Sequence, residues 1–253
     1  MNYRPVILYL LLALVSCSSG SSKWTYEHAL APDTANTKYQ LYDLYQDENG
    51  EKGIVVYNDV DPSTNEGSIF ILSLDESECA WGPQDREVYP IDDEDLKGLV
   101  RTAGYTLYIN QMVYYLGNEK YPAFQWCQDK NPHGERIHGS SWILPGFWEF
   151  VSFLKMTDLT RLNIVLAANG GTPLAGEDEY YWTASEDQEG AVTFRDGDPE
   201  YEPNWDYNPT ERAAIITSDL KALVDKVYWS KSLRYHVRAV KYIYAYKPYN
   251  KGE

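Results

Sequence analysis

Two apolar, β-branched runs, Gly53-Ile54-Val55-Val56-Tyr57 and Gly67-Ser68-Ile69-Phe70-Ile71-Leu72-Ser73-Leu74, flank a stretch of turn chemistry, Asn58 to Asn65. That arrangement predicts a hairpin with a long loop, and it commits the first third of the chain to sheet. An EF-hand reading of Asp59, Asp61, Ser63 and Asn65 fails, because Thr64 stands where the calcium loop needs its sharp-turning glycine. A short helix is expected within Tyr121 to Asp129. Further on, Pro145 sits where a first helical turn tolerates it, and Phe147, Trp148, Phe150, Val151 and Leu154 follow at helical spacing. A second main helix is expected over Leu159 to Ala168, capped by Asp158 and ended by Asn169-Gly170-Gly171. Strand patterning then returns at Tyr180 to Ala184, Ala191 to Arg195, Ala213 to Thr217 and Val237 to Tyr246. Strands, two main helices and more strands in one continuous core describe an α+β domain with mixed or antiparallel sheets.

Composition narrows the function. The 253 residues carry 38 Asp+Glu against 22 Lys+Arg, a net charge of −16, and such a field repels polyanions. Nucleic acid is therefore excluded as a partner, since binding it needs clustered Lys and Arg. The chain is 15% aromatic, with 23 Tyr and 8 Trp, which suits twisted sheet and ring-stacking surfaces.

The first residues read as a targeting segment. Arg4 precedes an apolar run, Val6 to Val15, which is too short to span a bilayer core that needs about 20 helical residues. Leu14-Val15-Ser16-Cys17 resembles the lipobox of bacterial lipoproteins. The resemblance implies a signal peptide over 1–16, lipidation of Cys17 and a membrane anchor. The tether that follows, 17–38, contains Ser18-Ser19-Gly20-Ser21-Ser22 and is flexible by composition. Ser18, not an acid, follows the cysteine, and by analogy with lipoprotein sorting this directs the protein to the outer membrane. The membrane face is left open. A single folded domain is expected over 39–248.

Several segments in order carry a wider resemblance: Trp126-Cys127, Trp142-Ile143-Leu144-Pro145 through Glu149-Phe150, Gly170-Gly171, Tyr181-Trp182-Thr183-Ala184-Ser185-Glu186, and Val237-Arg238-Ala239-Val240. This pattern is similar to a family of bacterial lipoprotein domains of poorly known function, the Lcl C-terminal and "major paralogous domain" type. The resemblance implies a C-type-lectin-like fold, distantly similar to formylglycine-generating enzymes and to variable binding proteins of phage and bacteria. Gly146-Phe147-Trp148 and Ala184 depart from the pattern in local surface detail. Trp142 and Leu144 are expected in the core, with Trp182 and Ala184 on the strand face opposite Tyr181. Glu186 and Arg238 are candidates for a buried ion pair.

Candidate sites follow from residue type. Cys79 and Cys127 remain after processing, and in an oxidising compartment they form a candidate disulfide or two buried thiols. The segment from Asp196 to Asn208 places seven oxygen-bearing residues on alternate positions, with Tyr201, Trp205 and Tyr207 between some of them. Trp205 and Tyr207, with Glu202, Asn204 and Asp206 as polar partners, make it the candidate ligand contact. Asp196, Asp198, Glu202, Asn204 and Asp206 are the candidate calcium ligands, and no cofactor other than this calcium is expected. An acidic, aromatic surface loop is the alternative. No HExxH, Gly-x-Ser-x-Gly or phosphate loop is present, and no cysteine lies beyond Cys127 for a copper oxidase site. The expectation is a non-catalytic, lipid-anchored envelope protein binding a neutral glycan, peptide or protein partner. An accessory subunit of a surface assembly is the alternative, and a glycan-processing enzyme the weaker one.

Overall fold

The computed structural model describes residues 39–245, except 65, 86–87, 89–102, 177–178, 187–189, 196–197, 204–210 and 219–227. Of residues 103–105, 190–203, 228 and 244–245 it describes the backbone alone. The hairpin forms as its pattern predicts. β1 (Leu44–Gln46) pairs antiparallel with β2 (Lys52–Asn58), and β2 pairs with β3 (Gly67–Ser73). A bulge between Val55 and Tyr57 lets the Tyr57 ring stack on Phe70 at 4.4 Å. A sheet of order β1-β2-β3-β12-β5 is completed by β5 (Trp142–Ile143) and β12 (Val240–Ala245).

The second sheet has the order β10-β9-β6-β11-β4. It contains β4 (Ser77–Ala80), β6 (Tyr180–Glu186), β9 (Arg212–Thr217), β10 (Tyr228–Ser230) and β11 (Arg234–Val237). All its pairings are antiparallel except β6 with β11, where His236 stands beside Tyr181. A separate ribbon joins β7 (Gly190–Arg195) to β8 (Asp198–Pro203).

The described residues hold four α-helices: α1 (Ala103–Gly117), α2 (Pro122–Gln128), α3 (Phe147–Met156) and α4 (Leu159–Ala168). Two main helices were expected; α1 is the longest and the one the sequence pattern hides. The α4 start is capped as predicted, with Asp158 Oδ1 accepting from the Arg161 N–H at 2.8 Å. Its end turns through Gly170 at φ +77°, and the Gly171 N–H closes on the Leu166 carbonyl at 2.9 Å.

The central strands of both sheets, β2 and β3 in the first and β6 and β9 in the second, are buried on both faces. One hydrophobic cluster gathers Ile54, Val56, Phe70, Leu72, Tyr181 and Ile216 with the apolar faces of α3 and α4. The other gathers Val55, Ile71, Trp81, Trp142, Trp182 and Ile215 with Phe124 and Cys127 of α2. Trp142 and Leu144 are fully buried, and Trp182 and Ala184 share a cluster that excludes Tyr181, as the strand alternation required. The three fully buried indoles each find an acceptor: Trp81 the Thr183 carbonyl, Trp182 the Cys79 carbonyl and Trp142 the Asp47 carboxylate.

Candidate functional site

A cleft of about 490 Å³ lies beside the β1–β2 turn, between that turn, the 131–140 segment and the exposed side of β12. Its floor is built around Asp47. The turn sequence Asp47-Glu48-Asn49-Gly50 reverses the chain with Gly50 at φ +88°, and Asp47 Oδ1 accepts from the Asn49 and Glu51 N–H groups, both at 3.0 Å. The other oxygen, Oδ2, accepts from Trp142 Nε1 at 3.0 Å and Lys241 Nζ at 3.4 Å. Asp47 thus ties the turn to β5 and β12, with only 4% of its side chain exposed. All its acceptor capacity serves the framework.

The opposite wall is held as firmly. Asn131 accepts from the Trp142 N–H at 2.7 Å and donates to the Trp142 carbonyl at 2.9 Å. His138 Nδ1 accepts from the Ser140 N–H at 3.2 Å, which leaves the ring hydrogen on Nε2, where it donates to Glu135 Oε1 at 2.9 Å. Along the rim the situation differs. Among the described residues, the exposed side chains of Gln46, Glu48 and Asn49 make no hydrogen bond. Tyr39 and Tyr45 form the aromatic side, their rings in an edge contact at 5.5 Å. The sequence offered one local sign of this site, the Asp-Glu-Asn-Gly turn.

The residues singled out from sequence are placed as follows. Cys17, Asp196, Asn204, Trp205, Asp206 and Tyr207 lie outside the described residues. Asp198 and Glu202 belong to β8, where they stand opposite Arg195 and Ala191. Part of the expected loop is therefore strand. Among the described residues, no group of three His, Cys, Asp or Glu side chains is placed to hold a metal ion. Cys79 and Cys127 are free thiols, on β4 and on α2 where the helix packs against that strand. Burial pushes the Cys79 thiol up to about 11, and burial, with Cys79 nearby, raises the Cys127 thiol well above its ordinary value.

The expected Glu186–Arg238 pair is corrected. Both residues are buried, but each has another partner. Glu186 Oε1 accepts from Lys231 Nζ and from the Val88 N–H, and the Lys231 ammonium lies 4.4 Å from the Trp81 ring centre. Arg238 donates to Glu76 and to the Ser73, Leu74 and Thr172 carbonyls. Glu76 also accepts from the Tyr181 hydroxyl at 2.9 Å and faces His236 Nδ1 at 3.3 Å. The parallel register of β11 beside β6 brings Arg238 to the β3–β4 link instead of to Glu186.

A further buried acid went unnoticed in the sequence. Glu149, on the first turn of α3, is 6% exposed and accepts from Thr106 Oγ1 at 2.7 Å. Burial pushes its carboxyl up to about 7, against the smaller lowering effect of Thr106. Gly146 is required beside it: a Cβ there would meet Glu149 Oε2 at 2.3 Å and Thr106 Oγ1 at 2.2 Å. No helix among the described residues is long and apolar enough to cross a membrane.

Comparison with known proteins finds no family model and no curated protein that matches the chain. Among solved structures, it is similar to a fimbrial protein from Bacteroides ovatus, at 14% sequence identity and a TM-score of 0.46. The similarity covers 80% of this chain and 48% of that one, so the chain spans about half the length of its structural neighbour.

Proposed function

We propose that this chain is a lipid-anchored protein of the bacterial cell envelope whose α+β domain, of C-type-lectin-like type, binds a ligand without transforming it. The cleft beside the β1–β2 turn is the contact site. The observation that carries this reading is the contrast between its floor and its rim. Asp47, Asn131 and Trp142 are held in framework hydrogen bonds, while the side chains of Gln46, Glu48 and Asn49 are exposed and make no hydrogen bond among the described residues. A rigid scaffold carrying uncommitted polar groups on its loops is how binding sites are built. Glycan, peptide and protein partners all fit that description. The lipobox at Leu14 to Cys17 and the Ser/Gly tether support anchoring at the outer membrane.

Cys17→Ser tests the anchor: palmitate labelling should vanish and the protein should leave the membrane fraction. Persistent labelling refutes the lipoprotein reading. One observation favours the alternative role in a surface assembly. β5 pairs with Val240 and Lys241, and Ile243 to Ala245 of β12 have no strand neighbour on that side among the described residues. An unpaired edge is a template for another strand. Concentration-dependent oligomers in analytical ultracentrifugation, abolished by a proline at Ile243, would support that role.

A further inference from the structure

The chemistry of the cleft narrows its ligand class. Donors and acceptors alternate around it. Lys241 donates from the floor, with 14% of its side chain exposed. Glu48 and the second oxygen of Glu135 accept, and Gln46, Asn49 and the Ser140 hydroxyl each do both. Tyr39 supplies a ring that is held in place from two directions. Tyr45, itself 8% exposed, props it edge-on at 5.5 Å, and Asn58 Nδ2 donates to its backbone carbonyl at 2.6 Å.

A ligand with one kind of charge matches this set poorly. An anion meets Asp47, Glu48 and Glu135 within one cleft and the field of a chain with net charge −16. A cation is drawn to Glu48 and Glu135, but it has no acceptor to offer the Lys241 ammonium or the Gln46 and Asn49 amides and leaves those donors unused. A neutral polyol satisfies both sets, because every hydroxyl donates and accepts, and a sugar ring adds an apolar C–H face for Tyr39. Because the floor is already ordered, little further ordering opposes binding.

We infer that the cleft takes a neutral saccharide unit, held by Glu48 and Asn49 against the Tyr39 ring, with Lys241 donating from below. This rests on the reading of the cleft as the binding site. The test is isothermal titration of the full-length protein in detergent with lactose, maltose, cellobiose and N,N′-diacetylchitobiose. Heparin disaccharide and tetralysine serve as the anionic and cationic probes. At least one neutral disaccharide should bind, and Tyr39→Ala and the double variant Glu48→Gln/Asn49→Ala should each weaken it at least tenfold. Tyr39→Phe should retain binding, since the ring face and not the hydroxyl is used, and melting temperatures verify that each variant is folded. Binding of a neutral sugar unchanged in these variants overturns the cleft assignment but leaves a glycan-binding protein. Cleft-dependent binding of tetralysine or heparin disaccharide alone overturns the saccharide class and leaves the cleft as the site. Silence from all six probes overturns the saccharide inference; a partner then recovered by cross-linking through the cleft rim would leave the binding reading intact.

Discussion

Glu149→Gln should make the protein more stable above about pH 4.5, by a margin that grows until about pH 7. The carboxyl is buried, and its proton is held up to about 7 against an ordinary value of 4.5. Between those values the native state keeps a proton that the unfolded chain has released. Stability contributed by the group is therefore complete below about pH 4.5 and is lost progressively as pH rises to about 7. At about 1.4 kcal/mol per pH unit, the loss amounts to about 3 kcal/mol. Glutamine copies the protonated acid: its amide N–H replaces the carboxyl O–H, and its oxygen still accepts from Thr106 Oγ1. Variant and wild type should thus unfold alike near pH 4.5 and differ by about 3 kcal/mol near pH 8. In urea, with an m-value of about 3 kcal/mol/M, the midpoint of the variant moves up by about 1 M at the higher pH. Thr106→Val removes the one side-chain donor that favours the ionised form, so it should push the transition to higher pH still. A difference between Glu149→Gln and wild type that is the same at both pH values would refute the reasoning, because it would place an ordinary carboxylate at this position.

Glu186→Gln strips the buried Lys231 ammonium of its counter-charge, and breaking such a pair costs about 3–5 kcal/mol, read as a fall in melting temperature of about 10 °C; a fall of under 2 °C would show that water reaches the pair. Arg238→Lys keeps the charge but loses the planar fork that reaches Glu76 and three carbonyls, so thermal unfolding should show a clear destabilisation that Arg238→Leu exceeds. Equal stability of Arg238→Lys and wild type would count against the network. Cys79 and Cys127 are unbridged in the structure but lie on a strand and a helix that pack together, so in protein taken from an oxidising envelope they should be bridged and refuse alkylation in denaturant. Closing that loop stabilises the fold by about 4 kcal/mol in the chain-entropy model, and two alkylated thiols in the mass spectrum would rule the bridge out.

Elements with local signals were legible. Asp158 and Gly170 bound α4, Pro145 precedes α3, and the two β-branched runs form the β2–β3 hairpin. The helix α1 was not legible, because its sequence, Ala-Gly-Tyr-Thr-Leu-Tyr-Ile-Asn-Gln-Met-Val-Tyr-Tyr-Leu-Gly, is rich in residues that favour strands. It also buries polar side chains along with apolar ones. Asn110 is fully buried so that it can donate to the Leu144 carbonyl at 2.9 Å and accept from the Leu144 N–H at 3.0 Å. Hydrophobic periodicity counts such a residue as surface. The strand β10, of 3 residues, is too short to carry a pattern of its own, and β4, of 4 residues, exists through pairing with β11 far along the chain. The candidate site failed to appear for the same reason. Its floor joins Asp47, Trp142 and Lys241, which meet only once β12 has entered the first sheet.

The same residues explain how this chain fixes its strand register. Where one sheet face is buried, a slip by one residue turns the apolar set toward water and is heavily penalised. Here that penalty is missing from the central strands, since Ile54, Val55 and Val56, and Ile69 to Leu72, are buried on both faces. Apolar burial alone tolerates a slipped pairing of β2, β3 and β12. The buried polar groups do not. A one-residue shift of β12 would turn Lys241 away from Asp47, leaving a nearly buried carboxylate with one donor fewer, and would draw Arg238 off the three carbonyls it satisfies. Unsatisfied groups of that kind cost more than the apolar contacts a slip would regain. The charges inside this domain therefore select among arrangements that hydrophobic packing leaves close in energy. One of them, Asp47, also forms the floor of the cleft, so the device that selects the register holds the proposed binding site in shape.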